Sequence, residues 1–157
     1  MAAILFVCLG NICRSPTAEG VVRHRIDARR LSGELDVDSA GTTAYHAGER
    51  ADARMREHAS RRGYDLTSRA RQVRKADFSA FELVVAMDDA NYADLVGLAR
   101  SDDEKRRIVR FCDFVPGHEG EDVPDPYYGG EEGFEEVLDL IEAGADPVID
   151  HALKERR

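Results

Sequence analysis

Apolar residues fall along this chain in short unbroken runs separated by stretches of helical period. Ile4, Leu5, Phe6 and Val7 are consecutive, so Ala3–Cys8 reads as a strand buried on both faces. Pro16–Leu31 follows with helical spacing, carrying apolar Ala18, Val21, Val22 and Ile26. Leu35–Ser39 is a second strand, closed by the turn Ala40-Gly41-Thr42-Thr43. Ala51–Arg62 is a helix stopped by Gly63. Leu83–Met87 is a third, buried strand with a helix over Asn91–Ala99 behind it, and Ile108–Phe111 is a fourth. Pro116–Gly130 is a long polar loop, and Glu131–Ala143 and Pro147–Arg156 are two closing helices, the second begun by its proline.

Strands alternating with helices of this length imply βαβ units. The expected fold is a single α/β domain over residues 1–157, three layers deep (α/β/α). Its four-stranded parallel sheet is of Rossmann-like or flavodoxin-like type. Ligands of such folds sit where strand C-termini meet helix N-termini. That directs attention to Cys8–Ser15, where the first strand hands over to the first helix, and secondly to the loop over Pro116–Gly130.

Composition narrows the possibilities. Hydrophobic residues make up 43% and charged residues 34%, a globular profile. No apolar run approaches the roughly 20 residues that span a bilayer. The first seven residues lack the basic flank of a signal peptide, so the chain is expected to be cytoplasmic. A net charge of -9 argues against nucleic-acid or membrane partners, which need clustered cations. The basic stretch of Arg54, Arg56, Arg61, Arg62, Arg69, Arg71, Arg74 and Lys75 is expected to be a solvated helix face and loop. Three cysteines are too few and odd in number for a secreted disulfide framework, and Cys112 reads as a small buried residue. The five histidines are scattered without metal-ligand spacing, so no metal or other cofactor is expected, and all five read as surface or core residues.

The chemistry is concentrated in Cys8-Leu9-Gly10-Asn11-Ile12-Cys13-Arg14-Ser15. Gly10 and Asn11 are residue types that tolerate left-handed backbone angles, so the loop can curl its N–H groups inward as an anion nest. Ser15 stands where an N-cap belongs and Pro16 at the first helical position, adding the positive end of a helix. Such surroundings favour a thiolate, which makes Cys8 the candidate nucleophile. Arg14 offers a planar fork for two phosphoryl oxygens. A carboxylic acid on the long loop would suit the protonation of a poor leaving group. In-line phosphoryl transfer of this kind requires charge stabilisation rather than a metal.

With these motifs the sequence resembles the low-molecular-weight protein tyrosine phosphatases over nearly its whole length. The resemblance rests on the Cys8–Arg14 loop with its Ser15-Pro16-Thr17-Ala18-Glu19 continuation, and on Asp38-Ser39-Ala40-Gly41-Thr42. Arg71-Gln72-Val73, Ala86-Met87-Asp88 and Asp125-Pro126-Tyr127-Tyr128-Gly129 complete the pattern in the family's order. It implies hydrolysis of phosphotyrosine through a cysteinyl-phosphate on Cys8. Arg14 would be the phosphate clamp, Ser15 a hydrogen-bond donor to the thiolate, Asn11 the residue that holds the loop, and Asp125 the general acid and then base. Leu9, Gly10, Asn11, Ile12 and Cys13 would surround the phosphate, with Tyr45, Tyr127 and Tyr128 as aromatic walls, at least two of the three lining the entrance. Partners would be phosphotyrosine proteins, a bacterial-type tyrosine kinase among the candidates, with the chain a monomer or a weak self-associating dimer. The resemblance further suggests a reversible Cys8–Cys13 disulfide under oxidation.

Three alternatives carry different expectations. Relatives that act on phosphoarginine have Thr where Ile12 stands, and the bulkier side chain disfavours that substrate. Thioredoxin-coupled arsenate reductases need mid-chain resolving cysteines, of which there are none between Cys13 and Cys112. A binding module that docks phosphotyrosine without turnover would be expected to lack Cys8 or Asp125. Two positions depart from the family pattern. Ser68 stands where a His commonly helps fix the loop Asn, and Arg50 where Pro is common.

Overall fold

The computed structural model describes residues 1–155; Arg156, the last residue of the second expected closing helix, lies outside them. Four strands form one parallel sheet in the order β2-β1-β3-β4: β1 (Ala2–Cys8), β2 (Leu35–Gly41), β3 (Leu83–Ala86) and β4 (Ile108–Arg110). The helices are α1 (Arg14–Ala28), α2 (Ala53–Arg61), α3 (Asp77–Ala80), α4 (Asp89–Leu98), α5 (Asp102–Arg106) and α6 (Glu131–Glu155). Among the described residues no helix is long and apolar enough to cross a membrane.

The unbroken apolar run of β1 is explained by two cores. Ala2, Ile4, Phe6 and Cys8 join α1, α2 and α6 in a core on one face of the sheet. Leu5 and Val7 join Phe78, Val84, Leu95 and Ile108 in a core on the other. Period-2 alternation sends successive side chains to opposite faces, so a strand covered on both sides must be apolar throughout. Cys8 therefore leaves the sheet on the α1 side at the C-terminal end of a central strand.

Four expectations need correction. The closing segment is one 25-residue helix, Glu131–Glu155, that runs through Pro147. A proline inside a helix costs about 3 kcal/mol, but Leu140, Ile141, Ala145, Val148 and Ile149 on both sides of it are buried, each contributing roughly 1.5–3 kcal/mol when large. Phe111 is not the end of β4 but the start of a 3-10 turn, Phe111–Phe114. Gly41 ends β2 rather than sitting in a turn. Short helices α3 and α5 were not foreseen, although Ser101 before Asp102, Asp103 and Glu104 is a legible N-cap followed by an acidic first turn.

Candidate active site

Helix α1 begins earlier than its sequence suggested. Arg14 is its first residue and Cys13 its N-cap, so Ser15 lies inside the first turn and caps nothing. Its hydroxyl turns instead to the nucleophile candidate, with Ser15 Oγ 3.0 Å from Cys8 Sγ. The Asn11 amide Nδ2 donates to Ser15 Oγ at 2.8 Å and to Ser39 Oγ at 3.0 Å, while Asn11 Oδ1 accepts from the Arg71 backbone at 3.1 Å. Asn11 carries the loop's left-handed angle, at φ 59°; Gly10 does not have a positive φ. What Gly10 provides is space, because a Cβ there would meet the His46 ring at 2.9 Å. Ser68 is not among the partners of Asn11.

Three of the loop's carbonyls are tied to neighbouring backbone. Cys8 O accepts from Thr42, Leu9 O from Thr43, and Ile12 O from Asp52. The amides of Gly10, Asn11, Ile12 and Cys13 have no acceptor among the described residues, the condition for a backbone anion site. Gly41 matters to this packing: a Cβ on it would lie 2.7 Å from Leu9 O. Any other residue there would push the loop off the end of the sheet.

Arg14 is buried, and one edge of its guanidinium is already engaged. Nη1 donates to Asp88 Oδ2 at 2.7 Å and to the Val123 carbonyl at 3.0 Å. Nη2 faces Asp125 Oδ2 at 3.8 Å. Burial alone would lower the pKa of Arg14, but the Cys8, Asp88 and Asp125 charges outweigh it and hold the pKa above the ordinary value. Asp88 also caps α4 by accepting from Asn91, so a single carboxylate anchors both the helix and the arginine.

A cleft of about 170 Å³ opens above these groups. It is lined by Cys8, Leu9, Gly10, Ile12, Cys13, Arg14, Tyr45, His46, Asp125, Tyr127 and Tyr128. Asp125 is exposed on the rim and accepts from the Tyr127 amide at 3.0 Å. All three expected tyrosines line the entrance, with Tyr127 and Tyr128 edge-to-face at 4.9 Å. Arg54 ties this rim to the body of the protein. It pairs with Asp52 at 3.0 Å, donates to Tyr127 O at 3.2 Å and lies over the Tyr127 ring. The other arginines of the basic stretch mostly pair with carboxylates nearby, Arg62 with Glu135, Asp139 and Glu142, and Arg71 with Asp38 and Asp77.

All three cysteines are free thiols. Burial, reinforced by the Asp52, Cys8 and Asp125 charges, pushes the Cys13 thiol far above its usual range. Burial likewise lifts Cys112 to about 11. Among the described residues no group of three or more His, Cys, Asp or Glu is placed to hold a metal.

The family model for low-molecular-weight phosphotyrosine protein phosphatases matches residues 3–157. The chain belongs to that family. It is thus a hydrolase of phosphate monoesters that acts on phosphoproteins. It is 44% identical over 148 residues to a low-molecular-weight protein-tyrosine-phosphatase of Streptomyces coelicolor, covering 93% of this chain and 90% of that one. The solved protein tyrosine phosphatase of Entamoeba histolytica superimposes with a TM-score of 0.92 at 43% identity, covering 96% of each chain. A Drosophila arginine phosphatase matches with a TM-score of 0.87 at 29% identity, over 94% of this chain and 96% of the other.

Cys8, Leu9, Gly10, Ile12, Cys13, Arg14, Asp125 and the three tyrosines thus line one cleft. Sequence reasoning missed His46, which reaches the cleft and packs against Tyr127 with ring centroids 6.3 Å apart. It also gave no role to Asp88, Gly41 or Arg54. Asp88 and Gly41 lay inside quoted motifs; Arg54 carried no local signal.

Proposed function

We propose that this chain hydrolyses phosphotyrosine monoesters through a cysteinyl-phosphate on Cys8, residues 1–157 acting as one phosphatase domain. The observation that carries the reading is Cys8 Sγ at the floor of a cleft, 3.0 Å from a hydroxyl donor and beside Arg14, with Asp125 on the rim above. The sulfur, as thiolate, attacks phosphorus opposite the phenolic oxygen. The P–O bond breaks as Asp125 gives its proton to the departing phenolate. The free loop amides and Arg14 hold the charge that builds on the three peripheral oxygens. Asp125, now a carboxylate, takes a proton from water, whose oxygen attacks phosphorus. The S–P bond then breaks, and inorganic phosphate leaves. Ser15 donates to the released sulfur and makes it a better leaving group.

Tyr45, Tyr127 and Tyr128 favour an aryl phosphate, because a phenyl ring can lie between aromatic walls while phosphoserine is too short to reach them. Ile12 narrows the same cleft against a guanidinium-linked phosphate. Since a Drosophila arginine phosphatase has this fold, the side chains at the mouth, not the architecture, carry the choice of substrate. A reversible Cys8–Cys13 disulfide under peroxide is part of this reading: peroxide oxidises the Cys8 sulfur to a sulfenic acid, and the Cys13 sulfur displaces water from it. A tyrosine kinase is one candidate among phosphoprotein partners.

The test is phosphate release from a phosphotyrosine peptide in EDTA, for the wild type and Cys8→Ser, with a phosphoarginine peptide in parallel. Turnover of phosphotyrosine that vanishes in Cys8→Ser is expected. Turnover surviving in Cys8→Ser removes the nucleophile assignment, and a preference for phosphoarginine removes the substrate assignment. Binding without turnover in the wild type leaves a docking module.

A further inference from the structure

Helix α2 carries a histidine where its pattern calls for an apolar residue. Its buried residues are Met55, His58 and Ala59, at the i, i+3, i+4 spacing of a face packed on α6. His58 is 4% exposed. Its ring stacks on Phe134, near the start of α6, with centroids 5.3 Å apart and planes 15° from parallel. Nδ1 of the same ring bonds Glu135 Oε2, and Glu135 Oε1 accepts from Arg62 at 2.8 Å. The bonds from Arg62 and His58 hold the Glu135 carboxyl below its ordinary pKa. An ionised carboxylate only accepts, so Nδ1 carries the hydrogen. One bond thus sets both the tautomer and the plane of a buried ring.

The contacts continue from Phe134 to the mouth of the cleft. Arg54, one helical turn before His58, lies over the Phe134 ring at 5.0 Å and over the Tyr127 ring at 5.5 Å. Its Nη2 donates to Tyr127 O at 3.2 Å. The other rings beside Tyr127, those of His46 and Tyr128, belong to the mouth itself. Phe134 is 1% exposed, so the wall reaches a buried ring through Arg54. A cation–π contact depends on where the cation sits relative to the ring face. The tilt of Phe134 therefore matters to Arg54, and the near-parallel imidazole is what fixes that tilt. A leucine at position 58 would fill the volume without imposing a plane, and an alanine would leave a cavity into which Phe134 could turn.

We propose that His58 is a positioning residue for this reaction: its buried ring, oriented by Glu135, holds the Phe134–Arg54 stack that supports the Tyr127 wall. The proposal rests on the phosphatase reading of the cleft, in which Tyr127 receives the aryl group of the substrate. His58 touches neither the substrate nor the phosphate loop, so its effect belongs to substrate binding rather than to the transfer of phosphate. It also explains why a polar ring occupies an apolar position of α2. The hydrogen bond to Glu135 offsets the cost of burying the imidazole nitrogen, and the ring gains an orientation that a hydrocarbon side chain could not be given.

The experiment compares His58→Ala, His58→Gln and His58→Phe in the full chain. Its first readout needs no substrate: the proton NMR shifts of the Arg54 side chain, which the ring currents of Phe134 and Tyr127 displace from open-chain values. Its second is kcat and KM on a phosphotyrosine peptide. His58→Ala and His58→Gln both lack the ring, and the Gln variant keeps a donor for Glu135 should the Ala variant fail to fold. Both should move the Arg54 resonances toward open-chain values and raise KM by about two- to fivefold, the range of an exposed cation–π contact. kcat should stay within about twofold. His58→Phe keeps a stacking plane while Glu135 retains Arg62, so it should restore the wild-type shifts and KM. Added to Arg54→Ala, His58→Gln should raise KM no further, because His58 acts through Arg54. Unmoved Arg54 resonances or an unchanged KM in the ring-less variants overturn the proposal, as does a Phe variant that behaves like Gln or a full second loss in the double variant. If the wild type hydrolyses no phosphotyrosine while the Arg54 resonances move as expected, the stack stands and the substrate reading falls.

Discussion

Two loops meet at the cleft, and they are built on opposite principles. In the phosphate loop, Asn11, Arg14 and Ser15 are buried, each with named partners, and the carbonyls of Cys8, Leu9 and Ile12 are tied down. In the acid loop, Asp125, Tyr127 and Tyr128 are exposed, and the anchor is Val123, whose N–H bonds Met87 O and whose carbonyl accepts from Arg14. On the proposed mechanism the contrast follows from what each loop must do. Stabilising a phosphoryl charge requires dipoles that are already oriented and shielded from water, because reorientation during reaction costs much of the gain. A general acid must exchange protons with solvent, and its neighbours must admit a protein-borne tyrosine. Rigidity belongs under the phosphorus and access above it.

The sharpest way to break this comparison is Asp125→Asn. If the two loops divide the labour as described, the amide leaves the phosphate loop intact and removes only proton transfer. Turnover of phenyl phosphate or a phosphotyrosine peptide should fall by roughly 10²-fold or more. p-Nitrophenyl phosphate, whose leaving group needs little protonation, should lose far less. Steady-state kinetics on the two substrates checks this. An equal loss on both would mean that Asp125 acts through its charge on Arg14, from which it is 3.8 Å away.

The same division explains what the sequence made legible. The phosphate loop is local: Cys8 to Ser15 are contiguous, and the β1-to-α1 handover is announced by an apolar run, a glycine, an asparagine and a proline. The sheet was legible for a similar reason, since strands buried on both faces cannot be mistaken for polar loops. What escaped was non-local or marginal. Arg54, 71 positions before Asp125 by number (125 minus 54), reaches the rim only because α2 packs beside it. His46 looked like any surface histidine until the fold brought it against Gly10 and Tyr127. Ser before Pro is the usual start of a helix and predicts a cap at Ser15, yet the helix gains an earlier turn that aims the hydroxyl at sulfur. Pro147 reads as a helix start, but the buried face around it carries the helix through.

A middle-sized effect is expected at the tie between the loops. Arg54 grips Tyr127 O and covers its ring from α2. Arg54→Ala should leave the loop amides and Arg14 unchanged while freeing the tyrosine wall. An exposed cation–π contact is worth about 0.5–1 kcal/mol, so kcat/KM on a phosphotyrosine peptide should fall by about two- to fivefold. The fall should lie in KM, and inorganic phosphate, which touches no aromatic wall, should inhibit the variant as well as it inhibits the wild type. Weaker inhibition by phosphate would show that Arg54 serves the phosphate loop instead.

The smallest effect concerns Asp52, which stands at the seam. Its backbone N–H bonds Ile12 O in the phosphate loop, and its side chain caps α2 and holds Arg54. Burial works to raise its pKa, but the Arg54 guanidinium and the amides of Met55 and Arg54 outweigh burial, so the carboxyl titrates below its ordinary value. A depressed carboxylate stabilises the folded state above its unfolded pKa of about 3.9 and loses that contribution as pH falls through the folded pKa. Asp52→Asn keeps an oxygen that can cap the helix and removes the ionic part. At neutral pH the variant should be less stable by under about 1 kcal/mol, the discount appropriate to a pair whose arginine is half exposed. Thermal unfolding measured from pH 7 downward should show the two proteins converging below about pH 4. A gap that persists at low pH would mean that Asp52 acts by shape alone. In that case the seam between the rigid loop and the open one is held by its backbone bond to Ile12, which the substitution leaves untouched.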